Sequence, residues 1–116
     1  MRTIPIKESL TIEFKSDKKK YSDADLVDEI VGMTNTKGGT LYLGVEDNGE
    51  VTGVHPKHKD AIGVTALIAN STVPSVSVRA EVITEEVKDV LKIEIPVSRT
   101  VVSTSSGKMR RRRLKA

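Results

Sequence analysis

Thr40 to Glu46 alternates in hydropathy, with Leu41, Leu43 and Val45 on one side of an extended chain and Thr40, Tyr42 and Glu46 on the other. Asp47-Asn48-Gly49-Glu50 follows, then Val51-Thr52-Gly53-Val54. An Asn-Gly pair between two apolar runs favours a tight turn, because both central residues take positive φ. The pattern predicts a β-hairpin, with Leu41, Leu43 and Val45 facing inward.

The flanking segments extend this into a sheet with helices. Leu10 to Lys15 alternates as well, placing Leu10, Ile12 and Phe14 on one face and Thr11, Glu13 and Lys15 on the other, as in a half-buried strand. Ser16 to Lys20 is polar and reads as a loop. Ser22 opens a helix, with Asp25 three residues on as in a capping box. Val27, Ile30, Val31 and Thr34 keep helical spacing, and Asp23, Asp25 and Asp28 suit the positive end of the helix. That helix should end near Asn35, before Gly38-Gly39. Pro56 suits the first turn of a second helix, with Ala61, Val64, Leu67 and Ile68 facing the core and Val73-Pro74 closing it. Val76 to Ile83 and Val90 to Pro96 read as strands joined by a polar turn, Thr84 to Asp89. Val101-Val102-Ser103 and the segment after Gly107 form a last pair. The order β-α-β-β-α-β-β-β predicts an α+β fold, a two-layer sandwich of a mixed β-sheet and two main helices. A chain of 116 residues suits one domain.

Composition narrows the chemistry. The aromatic residues are Phe14, Tyr21 and Tyr42, so the core is aliphatic and a base-stacking platform is missing. Without cysteine there is no disulfide, thiolate zinc site or cysteine nucleophile. No apolar run approaches the roughly 20 residues of a membrane span, and the N-terminus lacks the apolar core of a secretory signal. The expectation is a cytoplasmic domain with no membrane partner.

The net charge of +3 conceals a division. Six of the 19 basic residues lie from Lys108 onward with no acid among them, leaving 13 basic against 16 acidic residues in 1–107. The body carries −3 and the tail +6. Such a tail is a handle for nucleic acid or another polyanion. Nothing caps the final charged strand, so the chain reads as the N-terminal domain of a longer protein.

Two features suggest phosphate contact. Lys18, Lys19 and Lys20 form one basic cluster, and Lys108, Arg110, Arg111, Arg112, Arg113 and Lys115 form another. Asn35, Lys37, Gly38 and Gly39 sit at a helix-to-strand connection whose glycines can expose backbone amides as an anion nest, although a helix C-cap needs glycine in any case. There is no P-loop, helix-turn-helix or zinc-finger spacing. His55 and His58 lie in a His-Pro-Lys-His run without a third metal ligand and read as surface residues.

Three stretches taken together resemble a known family. They are Glu8-Ser-Leu-Thr-Ile-Glu13-Phe-Lys15, the run from Asn35 through Gly38-Gly39 and Asp47 to Val54, and Gly107 to Lys115. This pattern is similar to the Schlafen-type, AlbA-like DNA-binding domain. Bacterial members of that family are described as transcriptional regulators or RecG-like helicase-related proteins, with the domain at the N-terminus. Where members carry an apolar or aromatic pair before the final Arg, this chain has Met109 and four arginines. The resemblance implies nucleic-acid binding, to DNA first; the basic residues and the scarcity of aromatics narrow the contact to the phosphate backbone, and no cofactor is expected. The resemblance also implies an alternative. Acidic residues at matching positions in eukaryotic Schlafen relatives belong to a metal-dependent ribonuclease site. Glu8, Glu13 and Asp47 would then hold Mg or Mn, and Lys15 would neutralise charge developing on the phosphate. A third reading is a dimerisation module in which the basic strand pairs edge to edge with a second copy.

Overall fold

A computed structural model describes residues 2–106. In chain order the elements are β1 (Ile12–Lys15), α1 (Asp23–Thr34), β2 (Gly39–Leu43), a 3-10 turn (Pro56–Lys59), α2 (Ala61–Asn70), β3 (Thr72–Val73), β4 (Arg79–Glu85), β5 (Lys88–Ile95) and β6 (Ser103–Thr104). The main sheet has the order β1-β2-β5-β4, and β3 and β6 form a small second sheet. β1 and β2 are parallel, whereas β2–β5, β4–β5 and β3–β6 are antiparallel. A parallel pair needs a crossover, and α1 supplies it. The α+β class, the mixed sheet and the two main helices agree with expectation. The strand expected after Gly107 lies outside the described residues.

α1 starts and stops where its sequence signals lie. The Ser22 side chain accepts the Asp25 amide at 3.1 Å, satisfying one free donor of the first turn. Asn35 caps the other end.

The central hairpin does not form a ladder. The turn is present, with the Glu46 amide donating to Glu50 and the Gly49 amide to Glu46, each at 2.8 Å. Beyond it the Val45–Val51 bridge forms, and the Thr52 and Gly53 amides both donate to the Gly44 carbonyl at 2.9 Å, after which the arms part. β2 is hydrogen-bonded to β1 on one edge and β5 on the other, so residues 51–54 cannot pair along it, and the Val54 amide donates to Asp89 of β5 at 2.8 Å instead. Two other boundaries also shift. Pro56 starts a 3-10 turn rather than α2, which begins after Asp60 accepts the Gly63 amide at 2.9 Å. The predicted polar turn shrinks to Glu86-Val87, both at positive φ, and β4 and β5 extend to meet it.

Both faces of the sheet are covered. Leu26, Val27 and Ile30 of α1 and Val64 and Ile68 of α2 pack with Leu41, Leu43, Leu91 and Ile93 on one face. On the other face Ile4, Phe14, Tyr42, Val45, Val51 and Val90 form a second cluster. Tyr42 therefore does not face solvent. Its ring meets Phe14 edge-on, with centroids 6.1 Å apart.

A single carboxylate fastens the N-terminal segment over this second face. Glu85 Oε1 accepts the Thr3 amide at 2.7 Å, the Thr3 hydroxyl at 2.8 Å and the Ile4 amide at 2.9 Å. The hydrogen bonds from the Ile4 amide and from Thr3 hold its carboxyl below the ordinary value of 4.5, against a smaller opposing effect of burial. The bonds favour the ionised form, so their contribution is complete above that value and fades as pH falls through the lowered one. We expect the Thr3 and Ile4 amides to lose hydrogen-exchange protection on acidification from about pH 6 to about pH 3, ahead of the amides of β2 and β5. In Glu85→Gln this dependence should vanish. Protection that is unchanged with pH, or that changes identically in Glu85→Gln, would disprove the latch.

Candidate functional site

The expected carboxylates are placed apart. In register with Leu41, Glu13 faces the helices and is 0% exposed. Lys15 Nζ lies 3.4 Å from Glu13 Oε2 and 3.4 Å from Glu29 Oε1, and 5.8 Å above the Tyr21 ring. Burial pulls the Lys15 ammonium down, but the Glu29 and Glu13 carboxylates outweigh it and hold it above its ordinary value. Tyr21 is pushed up, first by burial and then by Glu29, Asp25, Glu13 and Asp28. Lys15 thus bridges two acids of the fold.

Glu8 is held elsewhere. Ser9 and Ile12 pair across a tight turn, which brings Glu8 back beside the strand, and its Oε2 accepts the Phe14 amide at 3.0 Å. Asp47 is exposed in the turn after Val45. Among the described residues no three His, Cys, Asp or Glu side chains are grouped to hold a metal ion. Glu8, Glu13 and Asp47 therefore do not converge as the metal-dependent alternative needs. Beside Asp47, Glu46 accepts the Thr52 hydroxyl at 2.5 Å. Burial raises the Glu46 carboxyl, but Thr52, Ser16 and the charge of Lys18 bring it below its ordinary value.

The Asn35–Gly39 connection is occupied by the fold. Asn35 Nδ2 donates to the Val102 carbonyl and Asn35 Oδ1 accepts the Val102 amide, each at 2.8 Å. The Gly38 amide donates to Met33 at 2.7 Å, closing the helix. At Gly38 (φ +65°) a Cβ would meet the Ile95 carbonyl oxygen at 2.5 Å, and at Gly39 (φ +130°) it would strike the Thr11 carbonyl oxygen. Close approach of β1 and β5 accounts for both glycines. Lys37 is exposed on the same connection.

Lys18 and Lys19 are exposed, and Lys20 Nζ pairs with Asp23 at 3.2 Å. Lys108, Arg110, Arg111, Arg112, Arg113 and Lys115 lie outside the described residues. The structure adds a partner for the lysine loop. Asp17, 1% exposed, accepts the Tyr21 amide at 2.7 Å through Oδ1, and the His55 amide at 2.8 Å through Oδ2. Its Oδ2 also lies 2.7 Å from His58 Nδ1. The residue at the base of the lysine loop thus holds the Pro56–Lys59 turn beside it, bringing Lys57 to the same cleft as Lys20, while Lys59 pairs with Asp89 at 3.4 Å. His58 is 2% exposed and not a surface residue as expected. A cleft of about 420 Å³ between the two segments is lined by Lys20, Asp23, Lys57, His58, Asp60 and Gly63, among others. The sequence signal for this arrangement was slight: one acid before three lysines, and two histidines three apart.

The family model for Schlafen, AlbA_2 matches residues 8–115. Two solved structures share the fold. The DIP2311 protein from Corynebacterium diphtheriae superposes with a TM-score of 0.70 at 24% identity, over 96% of this chain and 22% of that one. The N-terminal domain of a RecG-related protein from Nitrosomonas europaea superposes with a TM-score of 0.65 at 18% identity, over 94% of this chain and 82% of that one. The chain thus spans about a fifth of the length of the Corynebacterium protein. Among the described residues no helix is long and apolar enough to cross a membrane.

Proposed function

This chain belongs to the Schlafen AlbA_2 family, and we propose that it binds nucleic acid, DNA in the first instance, as the phosphate-contacting domain of a bacterial-type transcriptional regulator. The observation that carries the reading is the meeting of two lysine-bearing segments, 18–20 and 57–59, on the buried Asp17 carboxylate. Flexible ammonium groups on one side of a small domain suit a backbone of regularly spaced phosphates and carry little sequence information. The six basic residues from Lys108 onward extend the same chemistry. The RecG-related character of one structural neighbour is consistent with work on nucleic acid.

Fluorescence anisotropy with a mixed-sequence duplex at graded salt tests this. The logarithm of the binding constant should fall linearly with the logarithm of salt concentration, by about 0.9 per phosphate neutralised. Replacing Lys18, Lys19 and Lys20 together by alanine should weaken binding to all sequences about equally and flatten the slope by up to about 3. An absence of binding at low salt, or binding indifferent to both salt and substitution, would overturn the proposal.

A further inference from the structure

We infer that the outer edge of β4 is a self-association surface, on which β4 pairs antiparallel with β4 of a second copy of this chain about a two-fold axis at Val82. The two four-stranded sheets then join into one. The pairing uses no residue of the basic segment from Lys108 onward.

Three observations converge on this edge. First, it is open and unguarded. β4 ends the order β1-β2-β5-β4, and among the described residues no segment pairs with its outer side. Exposed edges are ordinarily blunted by proline, lysine, a bulge or shortness. The seven residues Arg79–Glu85 include neither proline nor lysine, and their register with β5 is unbroken from Arg79–Glu94 to Glu85–Lys88.

Second, the edge is complementary to itself in one register. The two-residue turn Glu86-Val87, with both residues at positive φ, makes Glu85 and Lys88 a hydrogen-bonded pair. Alternation then turns the amides and carbonyls of Ile83, Glu81 and Arg79 toward β5, and those of Ala80, Val82 and Thr84 outward. Placing Val82 opposite Val82 of the second copy also sets Ala80 opposite Thr84, so all the outward groups of β4 find partners. The side chains agree. Val82, 38% exposed, meets its own copy at the centre. Arg79 has no ion pair among the described residues and lies opposite Glu85 of the second copy, whose latch uses Oε1 alone. A slip of two residues in either direction opposes two acids instead, Glu81 with Glu81 or Glu81 with Glu85.

Third, the helix over this edge is bare of charge. α2 packs on β4, and none of its ten residues is charged. Val64 and Ile68 are buried, yet Ile62 is 84% exposed and Ala66 is exposed as well. The outer face of a surface helix ordinarily carries charge. In the joined sheet the two α2 helices lie side by side on one face, where these apolar side chains leave water.

The test uses the 116-residue chain, stripped of nucleic acid so that no duplex bridges two copies. Sedimentation equilibrium and hydrogen exchange are run from about 10 μM to about 1 mM, the span of weak to moderate association. The mass should rise from 12.7 kDa toward twice that value. The Ala80, Val82 and Thr84 amides should gain protection in step with the dimer fraction, and those of Glu81 and Ile83, already bonded to β5, should change less. Val82→Lys sets two ammonium groups against each other at the two-fold axis and should hold the mass at the monomer value throughout. The wild-type exchange result stands whether or not that variant folds. The chain has no cysteine, so single cysteines read the register. Val82→Cys should give a disulfide-linked dimer on mild oxidation, because Cα atoms of a hydrogen-bonded pair lie about 5.5 Å apart. Ala80→Cys, about 13 Å from its counterpart, should not. A monomer at every concentration overturns the proposal and leaves the edge to an extended segment of another protein. A dimer that survives Val82→Lys, or that leaves Ala80, Val82 and Thr84 unprotected, forms elsewhere and overturns it too. Cross-linking through Ala80→Cys as readily as through Val82→Cys overturns the pairing at Val82.

Discussion

Asp17→Ala is expected to destabilise the fold by about 3–5 kcal/mol, as judged from denaturant midpoints. The wild-type carboxylate meets two backbone amides and a buried imidazole. Truncation leaves all three without an acceptor, and each buried, unsatisfied donor costs about 1–3 kcal/mol. The two amides lie partly buried and recover some hydration, which keeps the total below the simple sum. Domains of this size have about 5–15 kcal/mol of stability, so the variant would be marginal. Asp17→Asn separates charge from geometry. Its carbonyl oxygen can serve His55 and His58 at the Oδ2 position, but its NH2 group then faces the Tyr21 amide, donor against donor. An intermediate loss of about 1–3 kcal/mol follows. The order Ala below Asn below wild type identifies the carboxylate as the tie between the two lysine segments. A loss under about 1 kcal/mol for Asp17→Ala would mean that these donors find other partners. Duplex binding gives a second readout, since Asp17→Ala should release the 57–59 segment from the 18–20 loop and weaken binding while both sets of lysines remain, whereas Asp17→Asn should weaken it less.

What the sequence revealed and what it hid have physical reasons. α1 was legible at both ends because its signals are local: a serine hydroxyl reaching an amide three residues on, and a glycine pair past the last turn. The alternation in β2 was legible too, but its meaning was not. Period-2 patterning says which residues share a face, and says nothing of what covers it. Tyr42 looked solvent-facing because its neighbours Thr40 and Glu46 are polar, whereas Ile4 and Val51 arrive from elsewhere to bury it. The reversal at Asn48-Gly49 was legible, but its geometry differs from the reading: Gly49 alone takes positive φ, and Asp47 and Asn48 are central to a turn closed from the Gly49 amide to Glu46. Glu13 and Glu8 kept the spacing of a paired acid motif, yet spacing does not fix side-chain direction once the chain reverses between Ser9 and Ile12. The Asp17–His58 contact joins residues 41 apart, and no local pattern announces such a pair.

Gly39→Ala decides between the two meanings of the glycine connection, and the expected cost is about 3 kcal/mol or more. The residue sits at φ +130°, a conformation that L side chains rarely adopt, and strain of this kind costs about 1–3 kcal/mol. The new Cβ also collides with the Thr11 carbonyl oxygen, which accepts the Thr40 amide at 2.8 Å at the start of the β1–β2 pairing. Backbone cannot yield as a flexible side chain can, so β1 must move away from β2. β1 carries Phe14 of the second cluster and Glu13 and Lys15 of the ion cluster, and all three would shift with it. A glycine retained for close packing predicts loss of stability in the free protein, with hydrogen-exchange protection falling first at Thr40 and along β1. A glycine retained to cradle phosphate predicts the reverse, with unchanged stability and weakened duplex binding. The Gly38 amide, already donating to Met33, and the Asn35 side chain, holding Val102 at both of its polar atoms, favour the first outcome. A free protein as stable as wild type that has lost duplex affinity would move the phosphate contact from the lysine segments to this connection.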